Sequence, residues 1–144
     1  MKKLFLYILL TCFVNSLFAA SNPDDIIGVW KDGQGKGQVQ IFKQNGKYFG
    51  KIIWLKKPQD TNGKPKVDKH NPNPSLRNKP VLGLMMLKDF KYDEEEWSDG
   101  RIYNPSDGKE YKAYMKLKDR NTLSVRGYIG ISLLGKTDTW IRVK

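Results

Sequence analysis

The sequence is poor in cysteine, histidine and arginine, and each scarcity removes a class of chemistry. Its single cysteine, Cys12, sits in an apolar stretch near the N-terminus. The chain beyond that stretch therefore has no disulfide and no thiolate for catalysis or soft-metal ligation. Its stability has to come from packing. The one histidine, His70, lies in a polar segment, where a surface role is the simple reading; a hydrolytic dyad would need a nucleophile held beside it. Of 26 basic residues only five are arginines, at positions 77, 101, 120, 126 and 142. Lysine lacks the planar fork that reads phosphates and base edges bidentately, so nucleic-acid recognition is not expected. After position 20 there is no long apolar run, which removes helical membrane spans from consideration.

What is present begins with a positive start, Met1-Lys2-Lys3, an apolar run from Leu4 to Phe18 and a small-residue exit, Ala19-Ala20-Ser21. Residues 1–20 read as a cleaved secretory signal, and residues 21–144 as one domain, periplasmic or secreted. The residues before Cys12, Leu9-Leu10-Thr11, lack the small side chain that usually precedes a lipid-modified cysteine. Loss of Lys2 and Lys3 with the leader lowers the formal net charge from +11 to +9. A solvated lysine surface is the plain account of that excess. Weak attraction to anionic envelope polymers or lipids is the functional one.

Alternation and turn chemistry dominate the rest. Val39 to Lys43, the pair Asn45-Gly46 and Lys47 to Leu55 make a strong hairpin signal. Arg101 to Tyr103 run into the turn formers Asn104-Pro105-Ser106-Asp107-Gly108, and Lys109 to Lys118 then alternate, with Tyr111, Ala113, Met115 and Leu117 on one face. Leu123 and Val125 alternate with Ser124 and Arg126, and a last strand is expected from about Thr137 to Val143. Apolar residues recur at two and rarely at three and four, so the fold class is all-β. Seven to nine short antiparallel strands match an up-and-down barrel or a tightly closed sandwich. The exception is the connection from Lys57 to Pro80, rich in proline. Tyr48 to Leu55 is apolar on both faces, so this loop is expected to pack back over the barrel wall or mouth.

Several clusters hold residue types that could carry chemistry. Asp60-Thr61-Asn62-Gly63 lacks the further oxygen donors and distal glutamate of a calcium loop and reads as a turn. Asp93 to Glu96 cannot flank one sugar bond from adjacent strand positions and read as an exposed acidic turn. No catalytic residue, metal site or cofactor follows from the sequence. An enzyme acting through Asp68 and His70 is the least favoured reading. A barrel cavity would suit a small apolar or amphipathic ligand with an anionic head, such as a fatty acid, with Arg126 as its anchor and Trp54, Tyr103 and Tyr128 as walls. Oligomeric state leaves no mark.

The motifs GKIIWLKKP (Gly50 to Pro58), DKHNPNPSLRNKPVLGL (Asp68 to Leu84), RIYNPSDGKEY (Arg101 to Tyr111) and VRGYIGISLLGKTDTWIRV (Val125 to Val143) resemble the exported bacterial family named domain of unknown function 2147. The resemblance covers nearly the whole chain after the leader. It implies a lipocalin-like antiparallel up-and-down β-barrel of about eight strands, and it implies no reaction. Asp68, His70, Asn71 and Arg77 of the second motif are the loop candidates. Asn73 and Asn104 stand where acidic residues are expected in the family, and Lys79 where arginine is frequent. Gly28-Val29-Trp30 is similar to the Gly-x-Trp that opens lipocalin barrels, where the indole plugs one end beneath a cation from the last strand. Arg142 is the matching cation, and Trp30, Trp140 and Arg142 are the expected closure residues.

Overall fold

Period-two alternation and two-residue turns build a ring of strands, in a computed structural model that describes residues 22–131 and 134–143. The expected leader, 1–20, lies outside the described residues. The strands are β1 (Gly28–Lys31), β2 (Gly37–Gln44), β3 (Lys47–Leu55), β4 (Met85–Asp93), β5 (Glu96–Asn104), β6 (Lys109–Asp119), β7 (Thr122–Tyr128) and β8 (Gly135–Arg142). Each pairs antiparallel with its neighbours, and β1 pairs with β8, so the sheet is a closed eight-stranded barrel. Closure leaves no exposed sheet edge and rules out the sandwich.

The local causes are legible. Asn45 and Gly46 both take positive φ, 51° and 75°, the geometry that matches the twist of a tight hairpin and that Asn-Gly adopts at little cost. On the inner face, Val39, Ile41, Tyr48, Ile52, Ala113, Met115, Leu123 and Val125 are buried. Gly100 is glycine because the Phe90 ring lies against its Cα, where any Cβ would collide. The last strand begins at Gly135, two residues earlier than alternation alone suggests.

Because successive strands reverse direction, the connections sort to two ends. Residues 22–27 and the turns 45–46, 94–95 and 120–121 lie at one end. The turns 32–36 and 105–108, the β7–β8 connection and the long connection 56–84 lie at the other. A 3-10 helix, Pro23–Ile26, plugs the first end. Its Ile26 is fully buried, the Trp30 indole donates to Ile26 O at 2.9 Å and the Trp97 indole donates to Pro23 O at 3.1 Å. Both indole N–H groups are thus satisfied while the rings remain buried, and each ring contributes about 1.5–3 kcal/mol of burial.

The long connection is ordered by its own polar groups. Asn73 caps a short 3-10 turn, Pro74–Leu76, and Arg77 Nε donates to Asn71 O at 2.8 Å. Asp60 accepts from the Asn62 and Lys64 amides, the plain turn its sequence suggests. The connection rejoins the barrel where Gly83 N donates to Ile52 O and Ile52 N to Leu84 O, and where Val81 enters the core. It does not shield the outer face of β3 as expected, since Ile53 and Trp54 remain exposed. The wall it covers is that of β5.

Candidate functional site

The closed half of the barrel is filled by side chains, and a cavity opens at the other end. Trp30, Tyr48, Phe90, Trp97 and Leu123 pack the closed half as part of one apolar core. Above them a cavity of about 870 Å³ opens between the long connection, the 32–36 turn and the 105–108 turn. That is within the range of roughly 300–1,000 Å³ typical of small-molecule pockets. Its apolar lining comes from Val39 of β2, Ile52 and Leu55 of β3, Val81, Met86 of β4 and Trp140 of β8. The Trp140 indole donates to Asp138 Oδ2 at 2.8 Å, and the same oxygen accepts from Gly33 N at 3.2 Å, which fixes both the ring and the 32–36 turn beside it.

Charge at the mouth is asymmetric. Lys36, Lys56, Lys57, Lys66 and Lys69 line it with Asp32, Asp60 and His70. The Asp32 carboxylate is engaged by the backbone amides of Gln34, Lys36 and Gly37, and Asp60 by those of Asn62 and Lys64. Among the described residues, none of these five lysines is held in an ion pair. The acids stabilise their own turns, so the lysines line the mouth without them as ion-pair partners.

The four residues expected to form the ligand site do not line this cavity, and each has a geometric reason. The β2–β3 register shifts so that Val39 faces Ile52 while Gln38 faces Trp54. The extra residue, Ile53, reverses the alternation, so Leu55 turns inward and Trp54 stays 40% exposed. Leu123 and Val125 take the inner face of β7, which leaves Arg126 and Tyr128 on the outer wall. There Arg126 donates to Thr137 Oγ1 at 2.8 Å and the Tyr128 ring lies 6.1 Å from that of Tyr114. Tyr103 also alternates outward, beside Arg101 and Glu110, yet it is buried because Asp68 closes over it.

That contact is a latch. Tyr103 donates to Asp68 Oδ1 at 2.7 Å, Asn71 Nδ2 donates to Asp68 Oδ2 at 2.8 Å, and Asp68 is 1% exposed. Burial and then the bond to the Asp68 carboxylate push the Tyr103 hydroxyl up to about 12. His70, two residues after Asp68, lines the cavity mouth, and its carbonyl lies against Gly108, where a Cβ could not fit. Asp68, Asn71 and Arg77 thus form one hydrogen-bonded structure that holds the long connection against β5, and His70 packs its backbone on the 105–108 turn. No group of three or more His, Cys, Asp or Glu side chains converges on a metal-binding point among the described residues. The cavity lysines, Met86 and Leu55 were missed by sequence reading. Lys56-Lys57, directly following an apolar strand, was their only sequence signal.

At the closed end the first and last strands meet with Trp30 opposite Arg142. The Arg142 guanidinium lies 4.2 Å from the centre of the Trp30 ring and donates to the carbonyls of Asp25, Ile27 and Arg120. The helix, the seam and the indole plug are therefore tied by one side chain. Tyr48 donates to Asp24 Oδ1 at 2.6 Å, and this bond, followed by that from Lys43, holds the Asp24 carboxyl below the usual carboxylate range.

The family model for an uncharacterized protein conserved in bacteria, domain of unknown function 2147, matches residues 28–142. The chain belongs to this family. The matched segment of the domain of unknown function 2147 family runs from the first residue of β1 to the last of β8, so it takes in the whole ring. A solved structure described as protein HP1028 from the human pathogen Helicobacter pylori, belonging to the lipocalin family, is similar with a TM-score of 0.70 and 30% sequence identity. The similarity covers 82% of each chain. No curated protein matches the sequence. The barrel of this family member is lipocalin-like in its eight antiparallel strands, its closed end and its open one.

Proposed function

We propose that this protein is exported to the periplasm or beyond the cell and holds a small apolar or amphipathic ligand in the open half of its barrel, without transforming it. The cavity carries this reading: an apolar floor of Val39, Ile52, Met86 and Trp140 beneath a rim of lysines that have no acidic partner among the described residues. An apolar body would be desolvated against the floor, at about 25 cal/mol per Å² of buried apolar surface. An anionic end group would meet the rim. Lys36, Lys56, Lys57, Lys66 and Lys69 replace Arg126 as the candidate anchor, because Arg126 sits on the outer wall. The lipocalin-like fold supports a binding role.

The test is native mass spectrometry of the protein purified from its own compartment, before and after solvent extraction, with displacement of anilinonaphthalene sulfonate as the affinity readout. A solvent-extractable mass is expected. Met86→Trp, which fills the cavity, is expected to weaken probe binding tenfold or more, and Arg126→Ala to leave it unchanged. A bare mass together with probe binding indifferent to Met86→Trp would sink the proposal. N-terminal sequencing of the same material checks export, since a chain that still begins at Met1 excludes signal cleavage.

A further inference from the structure

The open end carries a feature that the cavity does not use. Ile129, Ile131 and Leu134, in the β7–β8 connection, are 67%, 59% and 70% exposed. Their backbone is folded: Ile129 N donates to Leu134 O, Leu134 N donates to Ile131 O at 3.0 Å, and Gly130 takes φ 75°. Single exposed apolar residues are ordinary on a protein surface. Ile129, Ile131 and Leu134 contribute nothing to the core and form an exposed apolar cluster for which folding gives no reason.

The charge around it is uneven in the matching sense. The connections at this end carry eight cations, Lys36 and seven in the long connection, against Asp32, Asp60, Asp68 and Asp107. Asp68 is buried, and Asp32 and Asp60 are engaged by their own turns. Segments at the opposite end carry Asp24, Asp25, Glu94 and Glu95 against Arg120 alone. The molecule is therefore polarised along its barrel axis, with its positive pole beside the apolar cluster. Exposed aliphatic side chains suit insertion into an apolar layer, and an end rich in cations with few free acids complements an extended negative surface.

We infer that the open end docks on an anionic lipid bilayer, with Ile129, Ile131 and Leu134 entering the boundary between headgroups and acyl chains and the lysines lying among the headgroups. Docked in this way, the cavity mouth faces the bilayer, and an apolar molecule passes between them without crossing water. The inference stands whether or not the cavity is occupied, because adhesion is read without any cavity ligand.

Sedimentation with vesicles tests it, using the protein without its leader. Binding is expected to vesicles containing phosphatidylglycerol and to fall tenfold or more on pure phosphatidylcholine. The double variant Ile131→Glu, Leu134→Glu is expected to lose tenfold or more in binding to the phosphatidylglycerol vesicles, with an unchanged thermal midpoint. Lys56→Gln, Lys57→Gln is expected to flatten the salt dependence. Absence of binding to the anionic vesicles would overturn the inference. So would equal binding by the wild type and the glutamate variant, which would assign adhesion to the overall charge. A dimer in sedimentation velocity that the glutamate variant dissolves, without vesicle binding, would assign the cluster to a second copy of the chain.

Discussion

The two ends of this barrel are built from the same strands and spend their residues differently. At the closed end the large rings and the arginine of the seam are bonded: Trp30 and Trp97 donate to the plug helix, Tyr48 to Asp24, and Arg142 to three carbonyls. At the open end lie a cavity, a lysine rim and the exposed side chains of Ile129, Ile131 and Leu134. The contrast teaches where to look for function. The closed end buries and bonds its rings, and the open end leaves a cavity and a lysine rim facing outside the chain.

Mutations should separate the ends by their cost. Trp97→Ala removes a fully buried ring and its bond to Pro23 O and is expected to lose about 3–5 kcal/mol in urea unfolding. A loss under about 1 kcal/mol would show the closed end to be looser than its packing implies. Tyr103→Phe leaves buried Asp68 short of one donor and is expected to lose about 1.5–3 kcal/mol. Amide exchange should then accelerate across residues 56–84 while the closed-end strands stay protected, since the latch ties only the loop. The same residue gives a pH signature. Its folded pKa is about 12 against an ordinary 10, so the folded state holds the proton more tightly, and its contribution is complete below pH 10. Stability should fall as pH rises from 10 to about 12. Tyr103→Phe should reduce that slope, with the remainder belonging to Tyr48 and Tyr111, whose hydroxyls are also raised.

Smaller effects sharpen the contrast. Glu94 and Glu95 form the β4–β5 turn with φ 47° and 66°, a left-handed pair that non-glycine residues adopt at a cost. Glu94→Asn with Glu95→Gly should raise stability by about 1 kcal/mol, read from the urea midpoint. The smallest change belongs to the apolar cluster of the open end: Ile131→Glu and Leu134→Glu should shift stability by no more than about 0.5 kcal/mol. A loss several times larger would mean that the cluster packs against the barrel.

The same contrast marks what was legible in the sequence. Alternation in β6 and the Asn45-Gly46 turn exposed the barrel, because side-chain period and turn chemistry are local properties. The acidic turn at Asp93 to Glu96 was legible, but the strands on either side of it were not, because Glu94-Glu95 is not the residue pair a tight hairpin favours. The cavity walls were misassigned for an equally physical reason. One extra residue at Ile53 reverses which face Trp54 occupies, and a bulge leaves no reliable mark in the residues that make it. Tyr103 looked like a cavity wall because alternation gives a residue's face without the loop that covers it. The contact to Asp68, 35 positions away, is a product of tertiary folding.

The seam between β1 and β8 has a kinetic consequence. All other strand pairs join consecutive segments and can assemble by local zipping. The bonds from Arg142 to the plug, by contrast, bridge up to 117 positions, so their loop-closure entropy must be met before they return any stabilisation. The seam should therefore form last on the folding path. Arg142→Ala is expected to speed unfolding severalfold while leaving the refolding rate almost unchanged, which would be seen as a shift of the unfolding arm alone in a denaturant chevron. The ring that protects the folded protein from edge-to-edge association exists only after its slowest contact has formed, and until then the chain is an open meander with two free edges.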